Sequence, residues 1–188
     1  MNAELRALYE ADYRDHGQGL QHSTPEYDAM RARDRDRRQR AAEIIAEIMA
    51  GESSVAAEDY YHAAWLFNHG DTPDDASQGH VWAKQAAELG HRPARWLAAA
   101  AYDRARMYSG QPQKYGTQFV PDGTRHRLWD VEPATTDAER AAWDVPPLAE
   151  QLRRAEAMTE ADPPGPIGEG APTWLTDAIE RWRAEEAA

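Results

Sequence analysis

The chain of 188 residues contains no cysteine. Disulfides, thiolate zinc sites, iron–sulfur clusters and cysteine nucleophiles are therefore excluded. The chain also has no run that approaches the ~20 apolar residues of a membrane span. Its charged first segment, Met1 to Tyr13, lacks the apolar centre of a signal peptide. These absences predict a cytoplasmic protein that does not bind membranes.

Several motifs of common enzyme classes are missing as well. The chain has no phosphate-binding loop of the Gly-x-x-x-x-Gly-Lys-Ser/Thr type, no Gly-x-Gly-x-x-Gly, no Gly-x-Ser-x-Gly and no His-Glu-x-x-His. The usual ATP-dependent, dinucleotide-dependent, serine-hydrolase and zinc-protease mechanisms are disfavoured, and we expect no cofactor. With 33 acidic and 21 basic residues the net charge is -12, which repels nucleic-acid backbones. A small polar or anionic ligand or a peptide is the expected partner.

The chain is rich in residues that mark the beginnings and ends of helices. Capping residues, proline at first helical positions and closing glycines recur between stretches of helical spacing. The predicted helices begin near Asn2, Thr24, Ala56, Thr72, Pro93, Thr136 and Pro146, and the first five end near Gly17, Gly51, Gly70, Gly90 and Gly110.

The second half of the chain changes character. Aromatic and β-branched residues around Pro121-Asp122-Gly123 predict a β-hairpin near 114–131. Residues 159–172 are rich in proline and glycine, which predicts a linker. We therefore expect a mainly α protein: a compact domain of five to seven helices with one hairpin over 1–158, the linker, and a docking helix at 173–188. That helix carries an apolar stripe with two tryptophans, so it should dock on its own chain or form a homo-oligomer.

One stretch of the second helix is dense in charge. Six arginines between Arg31 and Arg40 alternate with Asp34 and Asp36. Mixed signs at these spacings favour a solvated face with i,i+3 and i,i+4 ion pairs over an anion-binding site.

Three residues are candidates for chemistry on the helices. His69 lies in the last turn of its helix, where it is either an acid–base group or a capping residue. Asp103 and Arg104 interrupt an alanine-rich helix, so at least one of them should be buried. Either the buried residue is paired with a group on a neighbouring helix and has only a structural role, or Asp103 fixes His69 or a hairpin amide while Arg104 holds a carboxylate or phosphate.

A polar strip at the start of the predicted hairpin offers the remaining candidates, which are Gln113, Tyr115, Thr117 and Gln118. These amides, the phenol and the hydroxyl would either orient a ligand or fasten the hairpin to the fifth helix. Gly116 between them permits an unusual backbone conformation. Metal binding is not expected, because the spacings among His62, His69, His80 and His91 match no ligand pattern.

A family resemblance covers the same residues. Tyr102-Asp103-Arg104 is followed, after a turn, by GQPQKYGTQ over Gly110 to Gln118. This resembles the Asp-Arg and Gln-x-Tyr-Gly-Thr-Gln pattern of the bacterial domain-of-unknown-function family 6624. Asn68-His69 replaces that family's Gln-His, and Val145 to Leu148 replaces its Gly-Leu-Pro-Pro-Leu. The resemblance covers residues 9–157 and implies no established activity.

A weaker, local similarity is to Sel1-like helical repeats, in the alanine-rich helix pairs that end at Gly70, Gly90 and Gly110. Fewer than two copies are visible, so it describes local architecture. Two functions stay open. One is a domain that handles a small molecule or peptide in a polar pocket between helices three and five and the hairpin, with an acid–base enzyme as one form. The other is a non-catalytic helical module for protein–protein interaction.

Overall fold

The computed structural model describes residues 1–20, 24–51 and 54–188. Within these ranges it contains eight helices and one two-stranded antiparallel hairpin, which confirms the mainly α fold class. None of the helices in the described ranges is long and apolar enough to cross a membrane. The elements are α1 (Ala3–His16), α2 (Pro25–Ala50), α3 (Ala57–Asn68), α4 (Pro73–Glu88), α5 (Pro93–Tyr108), β1 (Phe119–Pro121), β2 (His126–Leu128), α6 (Asp137–Ala141), α7 (Leu148–Ala161) and α8 (Thr173–Glu186).

Local capping explains where several helices begin. The Asn2 side chain accepts a hydrogen bond from the Leu5 amide, and Thr24 caps α2 with Pro25 at the first helical position. Thr72 and Thr136 each form a capping box with an acidic residue three positions later. These signals act within one turn, so the sequence alone locates the helix starts that depend on them.

The chain divides into two compact units, and the boundary falls inside α5, between Ala101 and Tyr102. In the first unit, α3 packs against α1, α2 and α4. The buried side chains of this core are Leu5, Ala41, Ile44, Ile45, Val55, Ala63 and Leu66. Alanines and a glycine, Gly79, let α4 approach α3 closely, since a Cβ on Gly79 would lie 3.1 Å from the Asn68 amide nitrogen.

The second unit is built around the hairpin and α8. Phe119 pairs with Leu128, and Pro121 pairs with His126. Its core consists of Met107, Val120, Trp129, Leu175, Ala178, Ile179 and Trp182. Four of these seven residues belong to α8, so this helix docks on the second unit of its own chain.

The strands are shorter than the predicted hairpin, because residues 114–118 do not pair as a strand. This loop instead donates its amides to the side chain of Asp103. Gly116 adopts φ +86° at its centre, a conformation that extended strands do not contain.

Replacing Gly116 with alanine should lower stability through backbone strain alone. A Cβ at this position would meet its nearest side chains at 3.9 Å, so it would not clash. The left-handed conformation should cost about 1–2 kcal/mol, measured as the free energy of unfolding in urea. Gly165→Ala is the matched control, because a Cβ there meets nothing within 4 Å. Equal stability of the two variants would contradict the strain argument.

Candidate functional site

The first unit holds a cluster of two histidines and two carboxylates. We name it the histidine–carboxylate cluster, and its members are Asp12, His16, Asp34 and His69. Asp12 and His16 lie one turn apart on α1, Asp34 lies on α2, and His69 is the residue that ends α3. Both aspartates are almost completely buried, whereas the two histidine side chains keep 27% and 15% of their surface exposed. Buried acids therefore support imidazoles that solvent can reach.

Asp12 is the centre of this cluster. Its Oδ2 accepts hydrogen bonds from the Trp65 indole at 3.0 Å and from the His69 Nδ1 at 2.8 Å. A carboxylate on Nδ1 fixes the orientation and the tautomer of an imidazole. Among the residues that the structure describes, the other oxygen of Asp12, Oδ1, has no hydrogen-bond partner although it is buried.

His16 has its own carboxylate. Its Nε2 lies 3.1 Å from Asp34 Oδ2, and the same carboxylate accepts from Arg31 and Arg37. Burial acts to raise the pKa of Asp34, but the hydrogen bond from His16 and the charges of Arg31 and Arg37 outweigh it and hold the pKa below its ordinary value. Asp34 is therefore an ionised partner that orients His16.

The two imidazoles lie side by side. Their ring centroids are 4.0 Å apart with an interplanar angle of 31°. The Trp65 ring packs edge-on against His69 at 5.2 Å. One small molecule can therefore contact both histidines.

The arginine run of α2 differs from its prediction. Asp34, Arg37 and Arg38 are buried, so the expectation of a solvated face was wrong for these three residues. The expected i,i+3 ion pairs do form within α2, but the buried arginines also bind acids from other parts of the first unit, which the sequence of α2 alone does not reveal. Arg37 bonds Asp15 on α1, and Arg38 bonds Asp71 before α4.

Asp103, in the second unit, is completely buried and works as an acceptor for the loop 114–118. The backbone amides of Lys114, Tyr115 and Thr117 and the Thr117 hydroxyl all donate to its carboxylate at 2.8–3.2 Å. Burial raises the pKa of Asp103, and the hydrogen bonds from Tyr115, Thr117 and Lys114 oppose that rise. This geometry is what a loop-positioning role requires.

Gln113 is also completely buried and fully engaged. Its amide nitrogen donates to the carbonyls of Gln118 and Trp129, and its amide oxygen accepts from the Gln118 backbone. The Arg104 Nε donates to the Gln118 side-chain oxygen at 3.2 Å. These contacts join the turn of α5 that carries Arg104 to the segment before β1.

Tyr115 is half-buried and packs against Tyr102 and Trp143. Burial raises the pKa of the Tyr115 phenol, so it stays a neutral hydrogen-bond donor at neutral pH. Of the predicted residues, the structure joins Asp103, Thr117, Gln113, Gln118 and Arg104 by hydrogen bonds within the second unit. His69 belongs to the first unit, and a common cavity for His69, Arg104 and Tyr115 stays a prediction.

Three members of the cluster were not predicted from the sequence, namely Asp12, His16 and Asp34. Asp12 follows Leu5 by seven residues, a spacing that puts both on one face of α1. Both are completely buried, while Tyr13, the aromatic residue next to Asp12, is 59% exposed. The sequence signal for Asp12 was therefore an acidic residue on the same face of α1 as an apolar residue of the core.

Comparisons with family models, with curated proteins and with solved structures found no match to this chain. The geometry of its own residues therefore carries the functional argument.

Proposed function

We propose that the protein handles a small polar molecule at the histidine–carboxylate cluster and exchanges a proton with it through His69. The observation that carries this proposal is the completely buried carboxylate of Asp12, which accepts from His69 Nδ1 at 2.8 Å. Acid–base enzymes need an imidazole held in one orientation, and a buried carboxylate on one ring nitrogen provides it. Asp12 is the orienting residue in this proposal.

The surroundings of the cluster suit a polar ligand. Arg31 and Arg38 are paired with Asp71, so the positive charge near the cluster is largely neutralised. Arg104, Tyr115 and Gln118 are candidate ligand contacts of the second unit taken by itself, in which Asp103, Gln113 and Thr117 position the loop. The resemblance to the bacterial family of unknown function and a cytoplasmic location are parts of the same proposal.

Replacing His69 with glutamine tests the acid–base role. With para-nitrophenyl acetate and bis(para-nitrophenyl) phosphate as chromogenic probes, we expect turnover of at least one above buffer. Loss of the imidazole should lower that turnover by about 10²–10⁴-fold, the usual contribution of a general acid or base. The control is His80→Gln, since His80 Nδ1 bonds a backbone carbonyl, that of Ala98. Equal turnover in both variants would contradict the proposal.

The second candidate function is a protein–protein interaction module. The observation that favours it is that the side chains of Asp103 and Gln113 form their hydrogen bonds within the protein, which leaves them none for a ligand. Absence of turnover with both probes, together with an intact fold, would favour this module.

A further inference from the structure

Three potential metal ligands converge in the histidine–carboxylate cluster. One oxygen of Asp12 and one nitrogen each of His16 and His69 all lie within 4.8 Å of one another. Two imidazoles and one carboxylate form a donor set that suits zinc and other divalent transition metals. Magnesium and calcium prefer sites made of oxygen atoms alone.

The unpartnered oxygen of Asp12 is the second, independent observation. Asp12 is completely buried, and its Oδ1 accepts no hydrogen bond from the residues described. A buried carboxylate oxygen without a partner costs free energy, so such an atom calls for an explanation.

The neighbour of that oxygen is a histidine nitrogen. His16 Nε2 lies 3.8 Å from Asp12 Oδ1, which is too long for a hydrogen bond. Two zinc bonds of about 2.0–2.2 Å each, placed end to end, reach farther than this distance. A single ion can therefore bind both atoms and satisfy the orphaned oxygen.

We propose that Asp12, His16 and His69 bind one divalent transition-metal ion, with zinc as the expected occupant. Asp34 is not assigned as a ligand, because its carboxylate already accepts from Arg31 and Arg37. A metal-bound imidazole nitrogen carries no proton, so the hydrogens now shared by His69 with Asp12 and by His16 with Asp34 would lie on the other ring nitrogens once the ion is bound. Three protein ligands leave a fourth position for water or a polar ligand.

This inference shares the site of the proposed function and departs from the sequence-based expectation that no metal binds. That expectation compared histidine spacings along α3 and α4. The ligands proposed here come from α1 and from the end of α3, positions that only the folded chain brings together.

The test uses the full chain without a histidine tag, dialysed against a chelator and titrated with zinc chloride by calorimetry. We expect one zinc ion per chain and a rise in Tm of several degrees. Magnesium chloride should produce none of these effects. His16→Gln, a half-buried position suited to substitution, should weaken zinc binding at least tenfold, while His126→Gln should leave it unchanged.

Two results would overturn the metal site: no zinc bound per folded chain, or equal zinc affinity in His16→Gln and the native chain. Elemental analysis after desalting separates this inference from the proposed function. Probe turnover by a folded chain that binds no zinc would refute the metal site and leave acid–base chemistry at His69 standing. Stoichiometric zinc binding without turnover of either probe would support the metal site and contradict the proposed acid–base function.

Discussion

Ending the chain at Pro172 should unfold the second unit and leave the first unit folded. This truncation removes Leu175, Ala178, Ile179 and Trp182, which form more than half of the buried core of the second unit. Burial of a large apolar side chain contributes ~1.5–3 kcal/mol, so the gross loss from Leu175, Ile179 and Trp182 is on the order of 5–9 kcal/mol. A loss of this size matches the entire stability of an ordinary domain.

Trp129 is the reporter for this outcome. It is 1% exposed and packs edge-on against Trp174 and Trp182 at 5.5 and 5.4 Å. Without α8, its indole should be solvated and its fluorescence should shift to longer wavelength. Amide exchange should speed up in residues 119–128 and stay slow in α3, because the core around Leu66 belongs to the first unit.

Two point variants of α8 show how much stability its buried and exposed faces contribute. Trp182→Ala should cost about 3–5 kcal/mol, since it removes a buried aromatic ring together with its hydrogen bond to Asp130. Glu180→Ala lies on the exposed face of the same helix and should change stability by less than about 0.5 kcal/mol. If the truncated chain keeps native exchange protection in the hairpin, α8 is an accessory and not part of this core.

The helices could be predicted because their ends depend on neighbouring residues. Each side-chain cap bonds an amide within one turn, so both partners lie close together in the sequence. The capping residues are Asn2, Thr24, Thr72 and Thr136. The start of α8 is an instructive exception. Threonine commonly caps helices, but Thr173 lies inside α8, and Pro172 occupies the cap position without a side-chain hydrogen bond, so tertiary packing stabilises the helix instead.

The site was predicted only in part, because its partners lie far apart in sequence. His69 was singled out from its helix end, but its partner Asp12 lies 57 positions away. Likewise, 18 positions separate His16 from Asp34, and nothing local marks that pair. The loop 114–118 was predicted as strand for the same reason, since its hydrogen bonds go to Asp103 rather than to a neighbouring strand.

These long-range contacts also give different roles to two buried aspartates, Asp12 and Asp103. Asp12 has a buried oxygen without a hydrogen-bond partner in the described part of the chain, and it supports an imidazole that solvent reaches. Asp103 has both oxygens occupied by the donors of one loop. A carboxylate whose oxygens all accept hydrogen bonds from one loop holds that loop in place. A carboxylate with an unpaired oxygen beside a histidine can take part in proton transfer or ligand binding.

Asp103→Asn should destabilise the second unit by about 3–5 kcal/mol, although the replacement has the same shape. An amide nitrogen would replace one carboxylate oxygen and point a donor at the donors of Thr117 or Tyr115. Urea unfolding followed by fluorescence measures this cost. Thr117→Val removes only the hydroxyl among these donors and should cost about 1–2 kcal/mol.

The graded pair decides between the two roles of Asp103. A loop-positioning residue requires that Asp103→Asn be less stable than Thr117→Val, and that both lower any probe turnover only in proportion to the fraction unfolded. A catalytic residue would show the opposite pattern. Asp103→Asn would then have the same urea midpoint of unfolding as the native chain. Turnover of the chromogenic probe would still fall, because the lost group would act on the bound molecule and not on the loop.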